Sequence, residues 1–477
     1  MLRRIGGLFR QSEANTSKNG GSKNGSSGKK IASASGPGNI EVSSEIRKII
    51  ASKSKNERKR KPSTHKSEQK AVDMKHALSE AALPRGFRFA ATACGLKKTG
   101  ALDLAMFSSE VPASAAAVFT QNLVVAPPVL VSKANLRASK GRMRGVVINA
   151  GNANCATGEE GRAAAERTVV EAAKHVTCKP TELFVCSTGV IGVPLAVEKI
   201  LRRLPQLARQ QRPSARSFAE VSLAICTTDT QPKTAAASFK MAGRRVHLVG
   251  CAKGAGMIHP NMATTLAFVA TDANIAPALL QKTLRDVTTR TFNSISIDGD
   301  TSTNDTLLVL ANGQAGAPPI AAGTKGHREF AAALEDVCHS LALQIVADGE
   351  GAQRVIEIEV RGAKSVPAAR QIAQTIATSP LVKTAFAGGD PNWGRVFAAA
   401  GRSGVKFDPH RVDITMAGIH VLSRGRPLDF NERAASNRLL TPHVHIVVDL
   451  NAGRASARYW TCDFTAEYVR INASYRT

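Results

Sequence analysis

The feature that most constrains the fold of this chain is a glycine-rich turn that runs directly into an apolar stretch. Residues 253–263 contain two glycines and Pro260, which exclude a continuous helix. Residues 264–271 are apolar or β-branched throughout, a composition that predicts a buried strand. The turn therefore delivers the chain to a strand whose first residue is Thr264.

A turn ahead of a threonine has a chemical consequence. If the backbone bends so that the Thr264 hydroxyl attacks the Ala263 carbonyl, the bond opens and Thr264 gains a free α-amine. Such an amine has a pKa of roughly 7.7–8.0 and can act as the base for its own hydroxyl. The alternative is a purely structural role, in which threonines begin the strand only because of their β-propensity. From the residues alone, this structural interpretation is favoured.

Composition indicates a globular body with a basic extension. The 477 residues are 43% hydrophobic, which suffices for a large core, and they carry a formal charge of +27. Residues 1–80 hold 18 lysines and arginines against 7 acids, so we expect a separate extension there and a folded body beyond it. A basic excess fits nucleic acid, an anionic membrane or anionic small substrates. An aromatic content of 4% weakens the single-stranded nucleic-acid interpretation.

The extension has the pattern of a targeting segment. Leu2, Ile5 and Phe9 stand at helical spacing between arginines, which indicates an organellar presequence and not a secretory signal. Residues 14–39 are rich in Ser, Asn and Gly and are predicted to be disordered. The basic run 53–61 fits a nucleic-acid patch or a solvated targeting tail, of which the tail is favoured.

The cysteines and the apolar runs predict neither a metal site nor a membrane span. The 8 cysteines are scattered, with no Cys-x-x-Cys pair and no histidine at metal-ligand spacing. We expect them to be reduced and mostly buried. The chain has no apolar run of about 18 residues, the length that a span needs.

Two strand–loop–helix units predict an α/β layer. The first has a strand at 145–149 and a helix at 159–176, with Thr157 and Glu160 as a capping box. The second has a strand at 183–186 and a helix at 195–209. Thr188 and Gly189 follow this strand, where backbone N–H groups can receive an oxyanion or where a glycine simply makes a turn.

Other candidates lie on polar loops. The loop 226–233 carries Thr227 and Thr228. Lys253 can counter a substrate carboxylate or be solvated, and Glu350, between glycines, can accept an ammonium or be a turn acid. Residues 294–305 lack the EF-hand spacing, so we interpret them as a polar structural loop with active-site potential. Further helices are predicted at 276–292, 327–346 and 366–378, and strands at 355–361, 443–450 and 454–462, with a β-like run at 468–477.

Seven motifs, in this order, resemble the ArgJ family of ornithine acetyltransferases. They are residues 151–154, 187–192, 228–230, 253–272, 348–351, 390–395 and 472–477, and the resemblance extends from Pro84 to Thr477. It implies a mixed α/β, DmpA/ArgJ-like sandwich of sheets flanked by helices, processed by its own N-terminal nucleophile. An α chain at 81–263 would end at Ala263, and a β chain at 264–477 would begin at Thr264.

The resemblance also implies roles. Thr264 matches the nucleophile, and Thr188 with Gly189 matches the oxyanion hole. The positions that match substrate contacts are Thr227 or Thr228, between which the residues do not decide, and Lys253, Thr264, Glu350, Asn472 and Thr477. The family moves acetyl from N2-acetyl-L-ornithine to L-glutamate without a bound cofactor, and some members accept acetyl-CoA as co-substrate. The expected assembly is two α and two β chains, in the mitochondrial matrix or, alternatively, a plastid.

Two other functions compete with this one. An N-terminal-nucleophile aminopeptidase of similar fold would pass the acyl group to water. A basic nucleic-acid-binding protein would account for the charge, but the charge concentrates in the extension, so we expect no nucleic-acid partner.

Overall fold

The computed structural model describes residues 79–259 and 265–474. The predicted cleavage pair, Ala263 and Thr264, and the predicted substrate contact Thr477 lie outside the described residues. The predictions for the presequence, for residues 14–39 and for the basic run 53–61 also fall outside them.

The described chain forms fifteen strands and eleven α-helices. The strands are β1 (Phe87–Thr92), β2 (Leu104–Phe119), β3 (Arg142–Asn152), β4 (Leu183–Val190), β5 (Lys233–Met241), β6 (Arg244–Lys253), β7 (Leu266–Thr271), β8 (Ile295–Ser296), β9 (Thr306–Ala311), β10 (Val355–Ala363), β11 (Asp413–Met416), β12 (Ile419–Ser423), β13 (Arg426–Pro427), β14 (His443–Asp449) and β15 (Ala455–Cys462). The helices are α1 (Pro127–Ala138), α2 (Gly158–Val176), α3 (Val197–Gln210), α4 (Ala215–Ala224), α5 (Pro277–Arg290), α6 (Lys325–Ala347), α7 (Val366–Ala377), α8 (Pro380–Gly388), α9 (Trp393–Gly401), α10 (Glu432–Leu439) and α11 (Ala466–Ser474).

The first sheet has eight strands in the order β4-β3-β2-β9-β7-β6-β5, with β1 paired to β2. Strand β7 runs parallel to β9 and antiparallel to β6. Its alternate residues enter different core clusters: Ala267 and Val269 face one, and Leu266 and Phe268 face the other. Burial on both faces explains why this strand is continuously apolar.

The second sheet has seven strands in the order β13-β12-β11-β14-β10-β15-β8. Helix α7 packs on β10 and β15 and buries Ala369, Ile372 and Ile376 with the sheet's inner face. Helices thus cover both sheets, and the predicted mixed α/β fold of two helix-flanked sheets is confirmed.

Helix α6 connects the two sheets. Its residues Leu334, Leu341 and Ile345 lie in a core cluster that also contains Val246 of β6 and Trp460 of β15. By length and composition alone α6 could cross a membrane. Its buried apolar face gives the same composition a simpler explanation, that of a core helix.

Three local predictions need correction. Residues 466–474 form a helix and not the predicted β-like run. Tyr468 and Val469 favour strands, but β15 ends at Cys462, and the next residue, Asp463, accepts the backbone N–H groups of Gln353 and Arg354 just before β10. The Thr157 capping box does not form, because its hydroxyl donates to Asn154. Strand β4 runs on to Val190, so Thr188 and Gly189 still pair with β3. The cysteine prediction holds: all eight are free thiols and six are buried.

Candidate active site

One cleft collects residues from seven separate parts of the chain. Its space, including the open mouth, is about 750 Å³, a size suited to a small-molecule substrate. Every predicted site residue that the structure describes lines it: Thr188, Gly189, Thr227, Thr228, Lys253, Glu350 and Asn472. Their proximity is a structural finding, and their individual chemical roles stay predictions.

The ends of β4 and β6 form the floor of the cleft. The Lys253 side chain is only 4% exposed, so the interpretation of a solvated lysine is wrong. Its Nζ donates to the Thr188 hydroxyl at 3.1 Å. Lys253 pairs with Leu266 across the β6–β7 ladder, which places the ammonium beside the start of β7.

Gly189 occupies a position that a side chain cannot share. Its φ is +131°, and a Cβ would lie 2.4 Å from the carbonyl carbon of Gly151 in β3. The close approach of β3 to β4 therefore requires glycine at this point. The sequence identified the residue, whereas the reason for it, contact with another strand, is visible only in the fold.

The Thr227–Thr228 loop is fixed by Asp229. One carboxylate oxygen accepts the Thr227 N–H at 2.9 Å, and the other accepts the Gly254 N–H at 2.7 Å. Burial opposes its ionisation, but Lys253, Lys233 and the Gly254 amide hold the pKa of Asp229 below its usual range. The carboxylate is therefore charged at neutral pH. Both threonines line the cleft.

Glu350 supplies the carboxylate of the cleft. It is half-buried, and its oxygen Oε2 accepts from the Asn472 amide at 2.9 Å. Its backbone N–H donates to the Ala255 carbonyl at 2.8 Å, next to Gly256. A Cβ on Gly256 would lie 2.6 Å from the same oxygen, so this glycine admits the carboxylate to the cleft.

Helix α11 closes one side of the cleft and contributes a residue that sequence reasoning missed. The Tyr468 hydroxyl lies 3.4 Å from the carboxylate of Asp298, which also accepts the N–H groups of Met257 and Ile258. Burial raises the pKa of Asp298. Residues 294–305 were expected to be a polar loop near a site, and Asp298 and Asp300 do line the cleft. Tyr468 had no such signal, because its segment was assigned to a strand.

A carboxyl group is buried beside the start of β7. Asp305 precedes β9 and accepts the Thr265 N–H at 2.7 Å. Complete burial raises the pKa of Asp305 well above its usual range, although Thr265 and Lys253 act against the shift. The buried carboxyl and the buried ammonium of Lys253 therefore flank the residues that follow Thr264.

In the part of the chain that the structure describes, residues with metal-ligand spacing occur on the second sheet and not in the cleft. Among the described residues, Glu357, Glu359 and His445 bring one ligand atom each within 4.8 Å of one another. Arg361 and Arg458 already pair with these carboxylates at 2.7–3.7 Å. The group is therefore an ion-pair network in which two guanidinium groups, and not a metal ion, supply the positive charge beside the carboxylates.

A mixed α/β fold whose cleft carries a buried ammonium and a carboxylate defines a protein that binds small charged molecules. A family model described as the ArgJ family matches residues 88–477. The arginine biosynthesis bifunctional protein ArgJ of Symbiobacterium thermophilum is 46% identical over 396 residues, 83% of this chain and 98% of that protein. Its counterpart from Thermus thermophilus is 47% identical over 395 residues, 83% of this chain and 99% of that protein.

One solved structure is also similar to this chain. The crystal structure of the arginine biosynthesis bifunctional protein argJ from Bacillus halodurans is 43% identical, covers 44% of this chain and 98% of that chain, and has a TM-score of 0.43. On the family model and the curated relatives, this chain belongs to the ArgJ family. It is an acyltransferase of arginine biosynthesis, as the motifs predicted.

Proposed function

We propose that this enzyme transfers the acetyl group of N2-acetyl-L-ornithine to L-glutamate through an acetyl ester of Thr264. The observation that carries the proposal is the pairing of charges in one cleft: Lys253 at the floor and Glu350 at the side. Both substrates have a carboxylate for the ammonium, and acetylornithine has an ammonium for the carboxylate. The cleft adjoins the strand that follows Thr264, since Lys253 pairs with Leu266.

In the proposed mechanism, autocleavage of the Ala263–Thr264 bond first frees the α-amine of Thr264. This amine removes the hydroxyl proton as the oxygen attacks the acetyl carbonyl, and Thr188 and Gly189 stabilise the oxyanion. The C–N bond breaks and ornithine leaves with the proton. The neutral amine of glutamate then attacks the ester and gives one of its own protons, through the α-amine, to the Thr264 oxygen as the ester C–O bond breaks, which releases N-acetylglutamate.

The test is a product analysis with and without the acceptor. Purified protein is incubated with acetylornithine alone and with added glutamate. We expect ornithine and N-acetylglutamate in equal amounts, with little turnover when glutamate is absent. Acetate as the main product under both conditions would identify a hydrolase and overturn the proposal. A third incubation, with acetyl-CoA and glutamate, tests acetyl-CoA as an alternative donor.

The remaining parts of the proposal concern location and assembly. The Arg-rich pattern at residues 1–10 supports a location in the mitochondrial matrix. The assembly of two α and two β chains is proposed from the family resemblance alone. Residues 1–80 fused to a fluorescent protein should direct it to mitochondria, and accumulation in plastids would favour the alternative. Light scattering of the purified enzyme measures the assembly.

A further inference from the structure

A fully buried lysine lies behind the cleft without touching it. Lys233 begins β5, and its Nζ lies 2.6 Å from Asp229 Oδ1 and 2.6 Å from Asp348 Oδ2. The side chains of Lys233 and Asp229 are 0% exposed and that of Asp348 is 4% exposed. Two buried carboxylates this close to one ammonium require it for charge compensation.

Lys233, Asp229 and Asp348 form a triad. Within it, Asp229 holds the end of the cleft at which Lys253 is proposed to bind the substrate carboxylate. Asp229 accepts the Thr227 N–H at 2.9 Å and the Gly254 N–H at 2.7 Å, and Gly254 directly follows Lys253. One carboxylate therefore fixes both the threonine loop and the backbone that carries the floor ammonium.

Asp348 holds the other end of the cleft, at which Glu350 is proposed to bind the substrate ammonium. Asp348 accepts the Thr230 N–H at 3.0 Å and a hydrogen bond from the Thr230 hydroxyl. It stands two residues before Glu350, whose N–H donates to Ala255 at 2.8 Å. The orientation of the Glu350 segment thus depends on a carboxylate that Lys233 compensates.

We propose that Lys233 is a positioning residue that sets the spacing between the two charged ends of the cleft and so governs the relative affinity for the donor, which has a side-chain ammonium, and the acceptor, which has a side-chain carboxylate. The two carboxylates act on different ends: Asp348 affects the donor through Glu350, and Asp229 affects both substrates through Thr227 and Lys253. This inference rests on the proposed function, because it assigns substrate groups to Lys253 and Glu350.

The experiment compares isosteric variants with a matched control. Asp348→Asn, Asp229→Asn and Lys233→Met are assayed for KM with acetylornithine and with glutamate. The control is Asp272→Asn at the opposite end of β7, where a buried carboxylate accepts the N–H groups of Arg85 and His247. The milder variant Thr230→Val removes one hydroxyl contact to Asp348 and covers the case in which the charge variants fail to fold.

Asp348→Asn should raise KM for acetylornithine about tenfold, a difference of about 1.4 kcal/mol, and change KM for glutamate less than about twofold. Asp229→Asn should raise both KM values. When Lys233→Met is combined with Asp348→Asn, the change in KM, expressed as a free energy, should differ from the sum of the two single changes. Thr230→Val should shift the KM ratio in the direction of Asp348→Asn by a smaller factor.

Two results would overturn the inference: an unchanged KM ratio in Asp348→Asn or Thr230→Val, or an equal shift in Asp272→Asn. Calorimetric binding of ornithine and of glutamate to the same variants gives the same ratio without turnover. A wild-type enzyme that binds both ligands but transfers no acetyl group would reject the proposed function and leave this test valid.

Discussion

Two ion networks of similar composition lie in very different surroundings. Behind the cleft, Lys233 bridges two carboxylates with almost no exposure, and each carboxylate also holds the backbone of substrate-binding segments. On the second sheet, Arg361 and Arg458 pair with Glu359 while their own side chains are 48% and 54% exposed. Desolvated charges are expensive unless paired, whereas exposed pairs contribute little. The difference indicates that the first network positions groups, whereas the second neutralises Glu359, whose side chain is 7% exposed, from the solvent side.

Glycines show the same contrast. Gly189 is packed against Gly151 at the cleft, whereas Gly404, in the loop after α9, has a φ of +79° and open space around it. Both glycines have a positive φ, so an alanine would be strained at either position. Only at Gly189 would the added methyl group also clash with a neighbouring strand.

The largest expected effect is that of Gly189→Ala. The new methyl group must displace β3 or β4, which moves the proposed oxyanion donors. We expect kcat to fall by about 100- to 1,000-fold, the loss typical of one oxyanion donor. Steady-state kinetics measures it. Gly404→Ala should lower Tm slightly and keep kcat, and equal losses of kcat in the two variants would remove the contrast.

The second effect concerns stability. Lys233→Met removes the ammonium that bridges two buried carboxylates, so that Asp348 loses its cation and Asp229 keeps only Lys253, and it should lower the free energy of unfolding by about 3–5 kcal/mol. Chemical denaturation measures it. A change below about 1 kcal/mol would place this network in the same class as a surface pair.

The third effect is a pH dependence. Because burial raises the pKa of Asp305, the folded state binds its proton more tightly than the unfolded state, so stability falls as pH rises above the unfolded pKa of about 3.9. Asp305→Asn removes this dependence. Its Tm relative to that of wild type should increase as pH rises above the unfolded pKa, over the range in which the folded-state carboxyl stays protonated and the unfolded one ionises. A difference in Tm that is constant across this range would show that Asp305 ionises normally.

The smallest effect is expected on the second sheet. Arg458→Met removes an exposed guanidinium from Glu357 and Glu359 and should change the free energy of unfolding by less than about 1 kcal/mol. Its kcat and KM should equal those of wild type. A loss as large as that of Lys233→Met would contradict the distinction between the two networks.

The sequence predicts those parts of the structure that depend on local pattern. The sequence pattern predicted the helices α6 and α7, and the resemblance to the ArgJ family, not the pattern itself, identified the cleft residues Thr188 and Lys253. The segment of α11 was assigned wrongly because Tyr and Val favour strands, while packing decides the outcome.

The pairing of buried charges that lie far apart along the chain could not be predicted from the sequence. The bond from Lys233 to Asp348 joins residues 115 positions apart, and neither residue carries a local signal of its partner. The same holds for Gly189, whose requirement for glycine comes from Gly151 on another strand.

The account depends on a nucleophile that is made by cutting the chain. Intact-mass measurement with N-terminal sequencing of the purified protein tests this most directly. We predict two fragments, one ending at Ala263 and one beginning at Thr264, and a Thr264→Ala variant that stays in one piece and transfers no acetyl group. A wild-type protein that remains a single polypeptide and has full transfer activity would contradict the account.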